Sequence, residues 1–260
     1  MKIATWNINS MKVRLPHILR WLGEESPDIV ALQELKQQDA DFPVEQINAA
    51  GYQAIWSGQK TYNGVALLTR NTGEDIEKVF LNFEDEQKRL LAATIDGIRV
   101  INVYVPNGQS VGSEKYQYKL LWLEHLHAYL QGALTRYEKV LVLGDFNIAP
   151  DDTDVYDPKA WEGQVLCSAA ERAALEKIMH LGFQDTFRLF PQAQEIYSWW
   201  DYRTFAFAGN RGLRIDLLLA NPALSKQIQR CWVDIRPRTW ERPSDHAPVL
   251  IECNIPLQGA

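Results

Sequence analysis

Cysteine is scarce in this chain. Cys167, Cys231 and Cys253 are an odd number with no Cys-x-x-Cys spacing, so neither a disulfide framework nor a zinc site is expected. A reducing cytoplasm is the expected setting. Long apolar runs are missing as well: no stretch reaches the length that spans a bilayer, and Met1-Lys2 leads directly into a strand-like segment. A soluble, unprocessed protein without a membrane partner is therefore expected. Positive charge is in deficit, with 27 Lys and Arg against 33 Asp and Glu, a formal charge of −6. That excludes nucleic-acid binding through an overall positive field and leaves only local contacts. Low-complexity segments and internal repeats are absent.

Two common catalytic signatures are also absent. Gly58, Lys60 and Gly64 do not fit the phosphate-binding Gly-x-x-x-x-Gly-Lys-Ser/Thr loop. Ser244, Asp245 and His246 are consecutive and no Gly-x-Ser-x-Gly elbow exists, which argues against a serine hydrolase. His125 and His127 lie two apart on a helical segment and do not share a face, and His17 and His180 have no ligand-spaced partners. All four read as structural.

What is present is 46% hydrophobic and 23% charged residues over 260 positions, the profile of one globular domain spanning 1–260. Strands are predicted at Lys2 to Ile8, Ile29 to Gln33, Tyr52 to Trp56 and Gly64 to Thr69. A hairpin follows, from Leu90 to Ile95, through Asp96-Gly97, to Arg99 to Val105. Further strands are predicted from Lys139 to Leu143, Ile196 to Trp200, Ile215 to Ala220, Gln229 to Ile235 and Pro248 to Asn254. Helices are predicted at Leu15 to Glu24, Glu45 to Ala50, Tyr116 to Thr135 and Glu171 to Leu181. Many strands with a few helices point to a layered α/β sandwich. The order strand, helix, strand ending in Glu34 is echoed by helix, strand ending in Asp145, compatible with two similar halves.

Polar clusters sit where these strands end. Gly144-Asp145-Phe146-Asn147 follows an apolar run, and extended geometry would put Asp145 and Asn147 on one side. Glu34 follows Ile29 to Gln33, an unusually apolar setting for a surface acid. Mg²⁺ takes few carboxylates, several waters and phosphate oxygens, so Glu34 with one or two of Asp145, Asp245 and the amide oxygens of Asn7 or Asn147 would suffice. Asp245 and His246 lie between Pro243 and Pro248 on a restricted backbone, and Asp216 is placed to hold His246 in one tautomer. From Arg203 to Arg242 eight Lys and Arg face three acids, a local excess of roughly +5.

Ala4 to Asn9, Leu32 to Lys36, Asn102 to Gly108, Leu143 to Pro150, Gly212 to Asp216 and Pro243 to Pro248 occur in one order along nearly the whole chain. In that order they resemble the exonuclease III family of the endonuclease/exonuclease/phosphatase superfamily. The resemblance implies a four-layer α/β/β/α, DNase-I-like sandwich and hydrolysis of phosphodiesters in duplex DNA, at 3′ ends or abasic sites, by a monomer with Mg²⁺ or Mn²⁺. It implies metal ligands among Asn7, Glu34, Asp145, Asn147, Asp245 and His246. Asp145 would orient or deprotonate the attacking water, and Asn147 would contact the phosphate. Tyr104, Asn107 and His246 would stabilise the phosphate, with Asp216 behind His246. Trp199 and Leu213 would line a pocket for a flipped-out, base-free sugar. Arg211, Arg214 and Arg242 with Lys36, Lys60 and Lys115 would form a phosphate track.

Two departures stand out. Asn9 occupies a position where some members carry an acid. Leu166 lies where relatives that cut abasic sites often have glycine, and a bulky side chain there is expected to crowd the DNA strand. Two rival readings are a catalytically inactive nucleic-acid-binding regulator of the same fold and a small-molecule phosphatase of the superfamily. Retention of Asn7, Glu34, Tyr104, Asp145, Asn147, Asp216, Asp245 and His246 together opposes the first. The lack of a membrane-binding extension and the segments around Trp199 and Tyr104 oppose the second.

Overall fold

A computed structural model describes residues 1–80 and 83–255. The apolar strands become β1 (Lys2–Asn7), β2 (Ile29–Gln33), β3 (Gln53–Ser57), β4 (Val65–Thr69), β5 (Glu74–Glu77), β6 (Leu90–Ile95), β7 (Ile98–Tyr104), β8 (Lys139–Asp145), β9 (Gln184–Asp185), β10 (Asp216–Ala220), β11 (Ile228–Val233) and β12 (Val249–Cys253). The helices are α1 (Met11–Glu25), α2 (Val44–Ala49), α3 (Glu114–Arg136), α4 (Pro158–Trp161), α5 (Ala169–His180) and α6 (Pro222–Ser225). One sheet has the order β11-β12-β1-β2-β4-β3 and the other β5-β6-β7-β8-β10-β9. Within each, the central pair, β1 with β2 and β7 with β8, is parallel, and the other pairings are antiparallel.

The two-residue period of a strand explains the layering. On β2, Ile29 and Ala31 face the opposite sheet while Val30 and Leu32 face helices, so the whole strand is buried and reads as an unbroken apolar run. Between the sheets, Ile3, Val65, Leu67 and Ile251 pack with Leu91, Val100, Leu141 and Leu218. Ile18, Trp21 and Leu22 of α1 and Ile47 of α2 cover the first sheet's outer face. Trp122, Leu126 and Leu130 of α3, with Leu175 and Ile178 of α5, cover the second's. The result is the expected four-layer α/β/β/α sandwich.

The strand orders also bear out the echo between the halves. Advancing every strand of the first sheet by six places around the chain reproduces the order of the second. The parallel pairs therefore present the ends of β1, β2, β7 and β8 at one edge, which delivers Asn7, Glu34, Tyr104 and Asp145 together. Gly144 makes the β7–β8 approach possible: it has φ +147°, and a Cβ there would lie 1.9 Å from the Val103 carbonyl oxygen.

Two local expectations are corrected, and one strand lay outside them. Helix α1 begins at Met11, because the partner carbonyl that Pro16 leaves free belongs to exposed Lys12 and can be solvated. Ile196 to Trp200 is not a strand; only Trp199 makes isolated bridges, to Leu213 and His246. Its neighbours bond in several directions, with Ser198 Oγ accepting from Ile215 and Asp216 N–H and Trp200 N–H donating to the Asp245 carbonyl, so no ladder propagates. Finally, β5 lies in a sequence of exposed acids that carries no alternating apolar pattern. The Asp96-Gly97 turn is as expected, with positive φ at both residues.

Candidate active site

Sharp turns follow β1, β2 and β8, and they store strain where the polar side chains converge. Asn9, Glu34, Lys36 and Asn147 have φ of 46°, 56°, 53° and 50°, left-handed values that cost non-glycine residues about 1–3 kcal/mol each. Interloop bonds hold them there: Ser10 N–H to the Glu34 carbonyl at 2.8 Å, Met11 N–H to the Leu35 carbonyl at 3.0 Å, and Lys36 N–H to the Asn63 carbonyl at 2.9 Å.

Asp145 is at the centre and almost fully buried. Its Oδ1 accepts from Asn147 N–H at 2.9 Å, and its Oδ2 accepts from the side-chain amides of Asn7 at 2.9 Å and Asn147 at 3.2 Å. Asp145 and Asn147 thus meet through a tight turn, not through the extended geometry expected from their spacing. Asn147 spends its other amide hydrogen on the Val105 carbonyl and accepts from Asn107, so here it orients Asp145 and presents no donor outward. Asn107 itself is exposed. Asn7 also donates to Glu34 Oε1 at 2.9 Å, an atom that receives the Tyr104 hydroxyl at 2.8 Å.

His246 closes the centre from the other side. Its Nδ1 lies 2.8 Å from Asp216 Oδ2 and its Nε2 3.7 Å from Asp145 Oδ2. Burial alone would depress this imidazole, but the Asp216 and Asp145 carboxylates outweigh it and raise the ring to about 10. Burial pushes the Asp145 carboxyl up to about 7; His246 opposes the shift, while Asp216 and Glu34 add to it. Burial also disfavours the charged form of Asp245, yet the imidazole and hydrogen bonds from Asn9 and Trp199 hold that carboxyl below its ordinary value. Tyr104 is driven well above its ordinary range by burial and by Glu34, so it remains a proton donor.

The 243–246 turn is fixed from several elements besides its prolines. Ser244 Oγ donates to the Asn7 carbonyl at 2.6 Å, and Trp6 Nε1 donates to the His246 carbonyl at 3.2 Å. Arg14 and the Tyr202 hydroxyl both donate to the Pro243 carbonyl, and buried Arg238 donates to the Ser244 carbonyl. Sequence reasoning missed these supports because all but the Arg238 contact span long sequence separations.

Oxygen donors dominate the edge, the chemistry a hard cation prefers. Glu34 Oε2 and Asn9 Oδ1 share the Lys36 ammonium, so a cation already occupies the mouth of the Glu34 carboxylate. Ligand atoms of Asp145, Asp216 and His246 also lie within 4.8 Å of one another, close enough to hold a metal. The residues fit a divalent cation. A groove of about 910 Å³ opens from Glu34, Tyr104 and Asn107 past Arg89 to Lys115.

Several expected substrate contacts are placed differently. Arg214 is buried and paired with Asp154 at 2.6 Å and Asp185 at 2.7 Å, so it braces the fold and does not reach a phosphate. Lys36, also of the expected track, is held by Glu34 Oε2 and Asn9 Oδ1; elsewhere in the basic 203–242 stretch, Arg236 and Arg230 pair with Asp234 and Glu252. Leu213 is wholly buried, in a cluster with Leu166, Val155 and Ile215 on which half-buried Trp199 rests. It is a support for Trp199 and not a pocket wall. Leu166 is only 4% exposed, so its side chain does not crowd a bound strand; its φ of 75° supplies the backbone reason for glycine at such a position. Trp199 remains at the site, donating from Nε1 to Asp245 Oδ2 at 3.0 Å.

The fold and this edge define a phosphate-ester hydrolase of the DNase-I-like kind: the chain belongs to the Endonuclease/Exonuclease/phosphatase family, whose model matches residues 4–246. Within it, the chain stands with the exodeoxyribonuclease III group. It is 37% identical to Exodeoxyribonuclease III of Haemophilus influenzae, covering 97% of this chain and 99% of that protein. A 3′ phosphatase from Neisseria, solved with a product DNA hairpin, is 43% identical with a TM-score of 0.96 over 98% of this chain and 99% of that one. An AP endonuclease from Archaeoglobus fulgidus is 40% identical with a TM-score of 0.94, over 98% and 100%.

Proposed function

We propose that this protein is a Mg²⁺-dependent DNA repair nuclease that hydrolyses phosphate esters of duplex DNA at 3′ ends and on the 5′ side of abasic sites. The observation that carries the reading is the buried Asp145 carboxylate, held by two asparagine amides and facing the His246–Asp216 pair. Asp145 aligns a water and takes its proton; a carboxyl poised near 7 suits a general base at neutral pH. His246, kept as an imidazolium by Asp216, offers its Nε2–H to a phosphoryl oxygen as charge grows there. The exposed Asn107 amide keeps one N–H for the groove side, while the Tyr104 hydroxyl on the same wall donates to Glu34 Oε1. Glu34, bonded to Asn7 and linked to Asp245 through Lys36 and Asn9, would hold Mg²⁺, or Mn²⁺ in its place, and the cation would spread charge on the non-bridging oxygens. The apolar face of Trp199 suits a base-free sugar.

The test is a gel assay of a 5′-labelled duplex with one internal abasic analogue and a 3′-phosphorylated end. It is run with Mg²⁺, with chelator, and with Asp145→Asn. Internal incision and 3′-phosphate removal that both need Mg²⁺ and Asp145 are expected. Binding without cleavage under every metal would sink the proposal, and loss of one product alone would restrict it to the other.

A further inference from the structure

Lys119 of α3 and Glu171 of α5 form an ion pair with both side chains wholly buried. Lys119 lies on the inner face of α3 among Tyr116, Trp122 and Leu123. A buried ion pair rarely stabilises a fold more than apolar side chains of the same size, so its presence calls for another reason. The hydrogen bonds give one. An ammonium has three N–H donors, and each finds an acceptor: the Asn147 carbonyl at 2.7 Å, the Asn107 carbonyl at 3.2 Å and Glu171 Oε1. The first two belong to the residues that orient Asp145 and offer an amide to the groove. Glu171 continues the chain of contacts, with Oε1 accepting from Leu166 N–H at 3.0 Å and Oε2 from Ser168 N–H at 3.1 Å, as the third residue of the α5 capping box.

We propose that Lys119 is a positioning residue for the reaction, fixing the Asn107 and Asn147 loops against each other and, through Glu171, against the Leu166 loop. The proposal rests on the nuclease reading above. The Asn107 amide meets Asn147 Oδ1 at 3.2 Å, and Asn147 in turn sets both oxygens of Asp145, so one buried cation sets the register of the base. Gly108 belongs to the same device: with φ +92°, it leaves the space that a Cβ would take, 3.1 Å from Lys119 Cδ.

The experiment compares Lys119→Met with Leu126→Ala, a truncation on the same helix in the same core. Both are expected to lower Tm. At a temperature well below either transition, Lys119→Met should lose kcat on the order of 10²-fold with KM for DNA nearly unchanged, as for a roughly 1 Å displacement of a reacting group. Leu126→Ala should retain kcat. The side-chain amide NMR signals of Asn107 and Asn147 should shift in the first variant only. Equal kcat in the two variants, or a loss confined to KM, would overturn the proposal. If Lys119→Met does not fold, Lys119→Gln takes its place: its shorter amide carries two N–H donors and cannot satisfy all three acceptors, so kcat should fall and both amide signals should shift; unchanged kcat and amide signals there would refute the assignment. A wild-type protein inactive on DNA fails the nuclease reading instead, while the amide shifts still judge the role of Lys119.

Discussion

Replacing Asp216 by asparagine isolates what the carboxylate contributes beyond shape. Asp216 is wholly buried; Oδ2 faces His246 Nδ1 at 2.8 Å and Oδ1 has no hydrogen-bond partner among the described residues. Asparagine can keep a carbonyl oxygen toward the ring, at the cost of an unpaired buried amide of about 1–3 kcal/mol in stability. The charge is what disappears. Opposed by burial, His246 is held at about 10 chiefly by Asp216, against an ordinary 6.5. If the ring returns to 6.5, its imidazolium fraction is about 0.03 at pH 8 and about three quarters at pH 6. Asp216→Asn should therefore cut kcat ~30-fold at pH 8 but less than ~2-fold at pH 6. The assay is single-turnover cleavage at saturating DNA across pH 5.5–9, with circular dichroism confirming the fold. A loss equal at both pH values would refute the argument, since it would mean that Asp216 acts by geometry alone.

Three further outcomes follow from the same geometry. Because the folded value of His246 exceeds its unfolded 6.5, its contribution to metal-free stability is complete below pH 6.5 and lost as pH rises towards 10; urea midpoints at pH 6.5 and 9.5 should show that decline, and Asp216→Asn should flatten it. Arg214→Met should cost up to about 3–5 kcal/mol by leaving Asp185 uncompensated and Asp154 with only its Arg188 partner, while the salt slope of DNA binding stays unchanged; a slope reduced by about one would restore the phosphate-contact reading. Leu166→Gly relieves about 1 kcal/mol of backbone strain but empties a buried site worth about 2–5 kcal/mol, so chemical denaturation should show net destabilisation.

The layers and the centre were legible in the sequence because both follow short-range rules. Buried strands such as Ile29 to Gln33 announce themselves by apolar runs, and Glu34 and Asp145 stand out because acids seldom terminate such runs. Burial of charge is not short-range. Arg214 and Lys119 look like surface cations, and only the fold brings Asp154, Asp185 and Glu171 to them. The same limit hid the failure of Ile196 to Trp200 to form a strand, since its bonding partners lie at 213–216 and 245–247.

Asn9 shows why an amide can replace an acid in so charged a place. Its Nδ2 donates to Asp245 Oδ1 at 2.8 Å while its Oδ1 accepts the Lys36 ammonium, so it is both donor and acceptor between opposite charges. An aspartate could satisfy Lys36 but would set a second carboxylate against Asp245, beside the Trp199 bond that fixes it. Asn9→Asp should then raise the Asp245 carboxyl in the metal-free protein, because a like charge replaces a donor, and it should strengthen Mn²⁺ binding by adding an anionic oxygen. Titration of Asp245 by carbon-detected NMR, paired with Mn²⁺ calorimetry, reads both effects. An Asp245 that titrates unchanged, with metal affinity also unchanged, would mean that Asn9 points away from the charge centre in solution and that the edge is organised by Asn7 alone.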